Sequence, residues 1–278
     1  MKPSRQIWSS PVADPTTHAR PVEFRGGGFS PKPIRALGPV VFVVLIVLWE
    51  IGSQTGVISA LVLPAPSEAL AALRDLWVSG ELWLHLGASL QRLSLGWTIG
   101  SVLGITLGLC IGLFSTVRAG VAPLVSAIFP IPKIALLPLF IIWFGIGEES
   151  KVALILFGTF FPTVIFTYGG IDNVDRGLIR MGQSFGLSWF SIVRKIILPG
   201  ALPAILSGMR ISSAIAIILI VAAELIAAEK GIGAYVQIAG SLFATDQLIA
   251  GVSILSVLGL TVSWLIGRAE RFLLRWRN

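Results

Sequence analysis

The sequence predicts an all-α integral membrane protein with six transmembrane helices and with both termini in the cytoplasm. Of its 278 residues, 55% are hydrophobic and only 13% are charged. Soluble domains have about 45–50% apolar and about 25% charged residues, so this chain has too few charges to build a water-exposed surface. Disorder is excluded as well, because disordered chains combine low hydrophobicity with high net charge.

Six stretches are long and apolar enough to span a membrane, since a helix needs about 20 mostly apolar residues to cross the hydrocarbon. Charges are rare within them: the first stretch carries Glu50, the fifth carries Glu224, and the second carries none. The third is interrupted by Lys133 and by several prolines, which predicts a broken helix. The predicted spans are residues 37–57, 93–117, 119–147, 152–171, 211–228 and 247–267.

The distribution of Lys and Arg sets the predicted orientation, because cytoplasmic connections carry an excess of basic residues. With the N-terminus in the cytoplasm, sixteen of the 21 basic residues lie inside and four lie outside, Arg92 and Lys151 among the four. Residues 1–33, rich in Pro and Gly, are predicted to form a flexible cytoplasmic tail, and residues 34–278 the transmembrane domain. The net charge of +7 therefore indicates membrane topology and anionic lipid, not nucleic acid.

The connection between the fourth and fifth spans, residues 172–204, is too long for a simple helical hairpin. Its pattern is helical, with Gly186 as a predicted break and Pro199 as a predicted stop. One buried apolar face is predicted from Phe185, Trp189, Ile192, Val193, Ile196 and Ile197. Two interpretations remain open from these residues alone: an interfacial helix that rests on lipid, or a docking element for another protein.

At this connection the sequence resembles the permease subunits of bacterial ATP-binding-cassette (ABC) importers. The family signature is Glu-Ala-Ala, three residues, Gly, nine residues, Ile, one residue, Leu-Pro, and Gly186, Ile196, Leu198 and Pro199 match its later part. The resemblance implies a short coupling helix that sits in a groove of a cytoplasmic ATPase subunit. The coupling residues assigned in this way are Arg180, Gly182, Gly186, Leu187, Ser188, Ile196, Leu198 and Pro199.

The opening triplet departs from the family signature. Arg180, Met181 and Gly182 stand where the family usually has Glu, Ala and Ala, so an acidic residue has become basic. Contacts of the family at that corner of the docking surface therefore do not carry over to this chain.

Further stretches are similar to the subfamily that serves nitrate, sulfonate and taurine uptake. They are residues 130–133 (Pro-Ile-Pro-Lys), 143–148 (Trp-Phe-Gly-Ile-Gly-Glu), 222–225 (Ala-Ala-Glu-Leu) and 231–233 (Gly-Ile-Gly). The resemblance implies a type I ABC importer permease in the bacterial inner membrane that works by alternating access. Its implied partners are a second permease copy, two ATPase subunits that bind ATP and Mg²⁺, and a periplasmic substrate-binding protein. The implied substrate is a small oxyanion such as a sulfonate, taurine or nitrate.

The chain itself shows no catalytic or metal-binding pattern. A phosphate-binding loop needs a Gly-Lys pair, and the sequence has none. His18 lies in the tail, His85 in an outer connection, and Cys110 in an apolar run, so we predict no metal site, no nucleophilic triad and no cofactor in this chain.

Two other functions are alternatives to an ABC importer permease. A membrane enzyme would need paired acids or a Ser/Lys or His cluster at matching depth. A secondary transporter driven by an ion gradient would usually carry inverted repeats of its spans. These two remain the alternative functions.

Charges inside the spans are costly and are treated as functional hypotheses. Glu224 either lines the translocation path or fixes a helix through a hydrogen bond, and it is expected to be protonated or paired. Lys133 either meets substrate in the broken helix or satisfies local carbonyl groups. Lys133 and Glu224 are therefore the candidate path residues.

A stripe of glycines with period four in the second span predicts close helix packing, within the chain or across a dimer. Its members are Gly96, Gly100, Gly104, Gly108 and Gly112.

Overall fold

A computed structural model describes residues 37–275 of the chain, and all of its regular elements in this range are helical. The helices are α1 (Leu37–Gln54), α2 (Pro66–Val78), α3 (Glu81–Leu113), α4 (Ser115–Ile128), α5 (Leu137–Phe144), α6 (Glu148–Asp172), α7 (Arg176–Ser184), α8 (Trp189–Ile192), α9 (Leu198–Ala227), α10 (Ile232–Ser241) and α11 (Thr245–Leu273). A 3₁₀ turn at Lys133–Leu136 precedes α5, and a π turn at Val193–Ile197 joins α8 to α9. The predicted tail, residues 1–33, lies outside the described residues.

Five helical runs are long and apolar enough to cross a membrane: α1, α3, α6, the run Trp189–Ala227 and α11. A sixth span exists only if α4 and the helical segment Lys133–Phe144 are counted together, and these two are bent by 91° at the break between them. The interrupted third span was predicted as a broken helix, and the break falls at Phe129–Pro132, where two prolines remove backbone donors. The described residues divide into two compact units, 37–48 and 49–275, and every predicted site residue belongs to the second.

The helix that carries the predicted second span starts before that span and ends before it. The second span was placed at 93–117, but α3 already begins at Glu81 and ends at Leu113. Its first three turns carry Glu81, His85 and Ser89, polar residues that a hydropathy criterion rejects although they share one helix face.

The sequence predicts a helix stop at Pro199, and this prediction is wrong. It lies in the first turn of α9, where a proline has no helical N–H bond to lose. The π turn at Val193–Ile197 leads directly into it, so that Trp189–Ala227 forms one continuous helical run of 39 residues.

The glycine stripe of α3 packs within the chain, against α6. A Cβ atom added at Gly104 would lie 2.8 Å from both the carbonyl oxygen of Phe160 and the Cβ of Thr163. The other four glycines of the stripe are equally tight, facing Ile155, Thr159, Thr167 and Ile171. The facing α6 residues also repeat every four positions, so the two stripes form a ridge and a groove in direct backbone contact. Thr163 and Thr167 donate their hydroxyls to carbonyls of their own helix, which leaves their methyl groups to pack on the glycines.

Candidate functional site

A buried group of charged side chains lies where α3, the start of α6 and the end of α9 meet; we call Arg92, Glu148, Glu224 and Ser89 the ionic cluster. Arg92 and Glu224 are 2% and 1% exposed. Arg92 NH1 donates to Glu224 Oε1 at 2.7 Å, and Arg92 NH2 donates to Glu148 Oε1 at 2.7 Å. Arg92 Nε also donates to Glu148 Oε2, which makes the Arg92–Glu148 pair bidentate. Glu224 is therefore a paired carboxylate in the protein interior.

The loop after α9 closes over Glu224 and completes its hydrogen bonds. Gly233 N donates to Glu224 Oε2 at 2.9 Å, and the Ser89 hydroxyl lies 2.8 Å from Oε1. A Cβ at Gly231, where φ is +129°, would lie 2.4 Å from the Glu224 carboxyl carbon. Glycine is therefore required at this close approach, which gives a physical reason for the Gly-Ile-Gly stretch at 231–233.

These contacts bear on the two interpretations of Glu224. The carboxylate links α9 to α3 and to its own following loop, which is the helix-fixing interpretation. Its role in a translocation path stays a prediction.

Lys133 lies apart from the ionic cluster, in the 3₁₀ turn after the broken helix. Its Nζ donates to the carbonyl oxygen of Phe129, which fits the alternative in which this lysine satisfies a local carbonyl. Nζ also lies 4.8 Å from the ring centroid of Phe129 and 5.8 Å from that of Phe161. The side chain is half-buried, so a path role is neither assigned nor removed by these contacts.

The coupling segment, residues 172–204, lies at the other end of α6, about 36 Å away for a helix of 25 residues. Asp175 caps α7 by accepting a hydrogen bond from Gly177 N at 2.7 Å. At the C-terminus of α7, Gly186 has φ +70°, Gly186 N donates to Gln183 O at 2.9 Å, and Leu187 N donates to Gly182 O at 3.0 Å. This pair of bonds is a Schellman motif with glycine at its left-handed position, so the predicted break at Gly186 is the end of a helix.

The other predicted coupling residues fall into two groups around this turn. Gly182 is buried, and a Cβ there would lie 2.9 Å from Ile196 Cδ1, so α7 packs closely on the π turn. Ser188 caps α8 by accepting a hydrogen bond from Ser191 N. Leu198 and Pro199 form the first turn of α9, and Arg180 is exposed on α7.

The predicted buried apolar face of this segment is only half correct. Ile192 and Val193 are buried, but Phe185 and Trp189 are 78% and 56% exposed. The Gly186 turn separates Phe185 from the following helix, so helical periodicity carried across this break assigned Phe185 to the wrong environment. Trp189 begins α8, and its side chain stays exposed although it lies on the same helix as Ile192.

Sequence reasoning missed Arg92 and Glu148. Arg92 was counted as an outer charge, yet it is the residue that joins the stretches 143–148 and 222–225. The available signal was the polar stripe Glu81, His85, Ser89 and Arg92, which has helical spacing and runs directly into an uncharged span.

The fold is shared with chains of solved ABC transporters. A chain of the inward-facing MetNI methionine ABC transporter aligns with a TM-score of 0.60 and 19% identity, covering 70% of this chain and 95% of that chain. A chain of an amino acid ABC transporter crystallised with histidines gives a TM-score of 0.59 with 20% identity, covering 73% of this chain and 96% of that one. The long apolar helices and this likeness define the class as a multi-pass helical membrane protein with a fold found in ABC transporters.

Residues 100–275 match the family described as binding-protein-dependent transport system inner membrane component. The chain is 38% identical over 240 residues to the Escherichia coli taurine transport system permease protein TauC, covering 84% of this chain and 87% of TauC. It is 37% identical over 235 residues to the Bacillus subtilis protein named “Putative aliphatic sulfonates transport permease protein SsuC”, covering 84% of this chain and 85% of that protein. The chain belongs to this family: it is the permease subunit of a bacterial inner-membrane ABC importer, similar over most of its length to permeases named for sulfonate and taurine transport.

Proposed function

We propose that this permease imports a small sulfonate by alternating access, driven by ATP hydrolysis on separate subunits that dock at the coupling segment. In this proposal two copies of the chain pair in the membrane, two ATPase subunits bind at the cytoplasmic face, and a periplasmic binding protein delivers the substrate. The names of the taurine and aliphatic sulfonate relatives support the substrate class. Lys133 is the candidate cation of the path, because a sulfonate is anionic at every physiological pH.

The observation that carries the proposal is the mechanical continuity between the coupling segment and the membrane. The exposed turn of α7 and α8 leads into α9 through one continuous run, Trp189–Ala227. That run ends next to Glu224, whose carboxylate is bonded to Arg92 at the opposite end of the bundle. A displacement imposed at the turn therefore has one continuous helical run along which it can reach the far end of the protein.

The coupling assignment is tested at Gly186. Its φ of +70° is costly for a β-branched residue, although a Cβ there would meet no neighbour within 4 Å. Gly186→Val is expected to displace α8 and to lower substrate-stimulated ATP hydrolysis at least about tenfold, in line with about 1–3 kcal/mol of local backbone strain. The measurement is ATP turnover by the complete transporter in liposomes.

Gly186→Asn is the matched control, because asparagine tolerates the left-handed conformation and should retain most of the turnover. Equal turnover in Gly186→Val and Gly186→Asn would contradict the assignment of this turn to ATPase coupling.

The proposed orientation is tested with single cysteines in a Cys110→Ala background. Ser79 and Ser188 are both exposed, one after α2 and one in the coupling segment. A membrane-impermeant maleimide applied outside spheroplasts is expected to label Ser79→Cys and to leave Ser188→Cys unlabelled until the cells are opened. The opposite pattern would show that the coupling segment faces away from the cytoplasm.

A further inference from the structure

We infer that the cleft beside Arg92 is a binding site for an oxyanion of the sulfonate class, and that the Glu148 carboxylate occupies the anion position until substrate arrives. The cleft has a volume of about 570 Å³. It lies between the start of α6 (residues 146–151) and the end of α9 with its following loop (residues 226–230), with Arg92 at its base. This inference deepens the proposed import function, on which it rests.

The buried charges beside the cleft are not balanced unless one further anion is present. Arg92 and Lys151 are both 2% exposed, and among the described residues Glu224 is the only fully buried acid beside them. Lys151 Nζ donates to the carbonyl oxygens of Ile146 and Gly147 at 2.9 and 2.8 Å, and within residues 37–275 it forms no ion pair. Two buried cations and one buried carboxylate require a further anion, because uncompensated buried charge is costly.

Glu148 supplies that anion from an exposed position. Its side chain is 59% exposed, whereas that of Glu224 is 0% exposed. Glu148 can therefore turn into water when another anion takes its place at Arg92, while Glu224 cannot leave its site. At the mouth of the cleft, the exposed side chains of Lys230 and Glu229 offset each other.

The geometry at Arg92 fits a sulfonate. Nε and NH2 present one edge of the guanidinium to the two Glu148 oxygens, and two oxygens of a sulfonate match the same fork. The position also lies at the N-terminal end of α6, a helix of 25 residues, where the helix dipole favours an anion. Ile146, Ile226 and Ala227 provide an apolar wall for a short alkyl chain.

Exchange at this site would change how the helices are joined. Replacing Glu148 by a sulfonate breaks the link between Arg92 on α3 and α6, while the Arg92–Glu224 link between α3 and α9 persists. Arrival of the substrate would thus remove the ionic link between α3 and the start of α6, while their contact along the glycine stripe persists.

The test is equilibrium binding of ³⁵S-labelled taurine to the full-length chain in lipid nanodiscs, with methanesulfonate as competitor. Ethanolamine, which shares the amine of taurine and lacks the sulfonate, should not compete. Glu148→Gln removes the internal competitor and is expected to tighten taurine binding at least tenfold. Glu149→Gln, the matched control one residue away, removes the same charge and should change taurine binding far less, because the Glu149 carboxylate lies beside Gly147 and is not one of the carboxylates paired with Arg92.

The variant Arg92→Met/Glu224→Met removes the guanidinium without leaving a buried carboxylate unpaired, and it is expected to abolish binding. Identical affinities in Glu148→Gln and Glu149→Gln, or unchanged binding in the double variant, would overturn the site. Absence of taurine and methanesulfonate binding in Glu148→Gln would overturn it as well.

ATP-driven taurine uptake by the complete transporter separates this inference from the proposed function. Normal uptake without binding at the cleft would reject the site and leave the import function standing. Binding at the cleft without ATP-dependent uptake would retain the site and reject the proposed function.

Discussion

Replacement of Arg92 by methionine is expected to destabilise the folded permease by about 3–5 kcal/mol, the usual cost of removing one partner of a buried ion pair. Glu224, 1% exposed, would be left without its counter-charge, and the Lys230 carbonyl would lose its donor at 2.6 Å. The loop at 231–233, which closes on Glu224, should loosen with it. Thermal unfolding of the purified chain in nanodiscs measures the effect as a fall in Tm.

Two variants test whether the loss of stability in Arg92→Met comes from an unpaired buried charge. Arg118→Met breaks an ion pair of the same kind, but Arg118 and Asp172 are 45% and 35% exposed, so the expected loss is only about 0–1 kcal/mol. Arg92→Met/Glu224→Met should recover most of the stability, because it removes both charges together. If Arg92→Met and Arg118→Met unfold at the same temperature, the ionic cluster does not stabilise the fold in the way described.

Addition of a single methyl group at Gly104 is expected to disrupt the α3–α6 contact. The new Cβ would lie 2.8 Å from the backbone carbonyl oxygen of Phe160, and a backbone atom cannot move aside as a side chain can. The two helices must separate along the stripe, at an expected cost of about 1–3 kcal/mol, which is typical of overpacking. The change is measured as a lower Tm of Gly104→Ala in nanodiscs.

Gly87→Ala is the matched control on the same helix. A Cβ at Gly87 meets nothing within 4 Å, and Gly87 is exposed. Alanine favours a helix over glycine by about 1 kcal/mol, so this variant should be neutral or slightly stabilised. A Tm for Gly104→Ala at or above that of Gly87→Ala would show that α3 and α6 do not pack through the glycine stripe.

The proposed mechanism depends on two features, one at each end of α6. At one end, the exposed turn around Gly186 is followed by α8 and the π turn, which continue into α9. At the other end, Glu224 of α9 is bonded to Arg92, which also holds Glu148 at the start of α6. Alternating access requires contacts that differ between two states, and the Arg92–Glu148 pair, in which only Glu148 is exposed, is the contact that we propose an anion replaces.

Properties that depend on a short stretch of chain were predictable from the sequence alone. Hydropathy over about 20 residues identified a membrane protein and placed the apolar centres of α1, α6, α9 and α11. The need for a positive φ identified Gly186 as the end of a helix, and the period-four glycines indicated a tightly packed helix face. Each of these signals is local, since it is set by solvent transfer, by backbone sterics or by the helical repeat.

Only the tertiary structure decided which charges meet. Arg92 is 132 positions from Glu224 and 56 positions from Glu148, and nothing in the local sequence around any of them identifies the other two. A hydropathy criterion placed Arg92 outside the membrane because it evaluates a charge as if it were solvated. In the folded chain, two carboxylates and a backbone carbonyl replace that water, so the physical environment of the arginine is set by partners that only folding brings together.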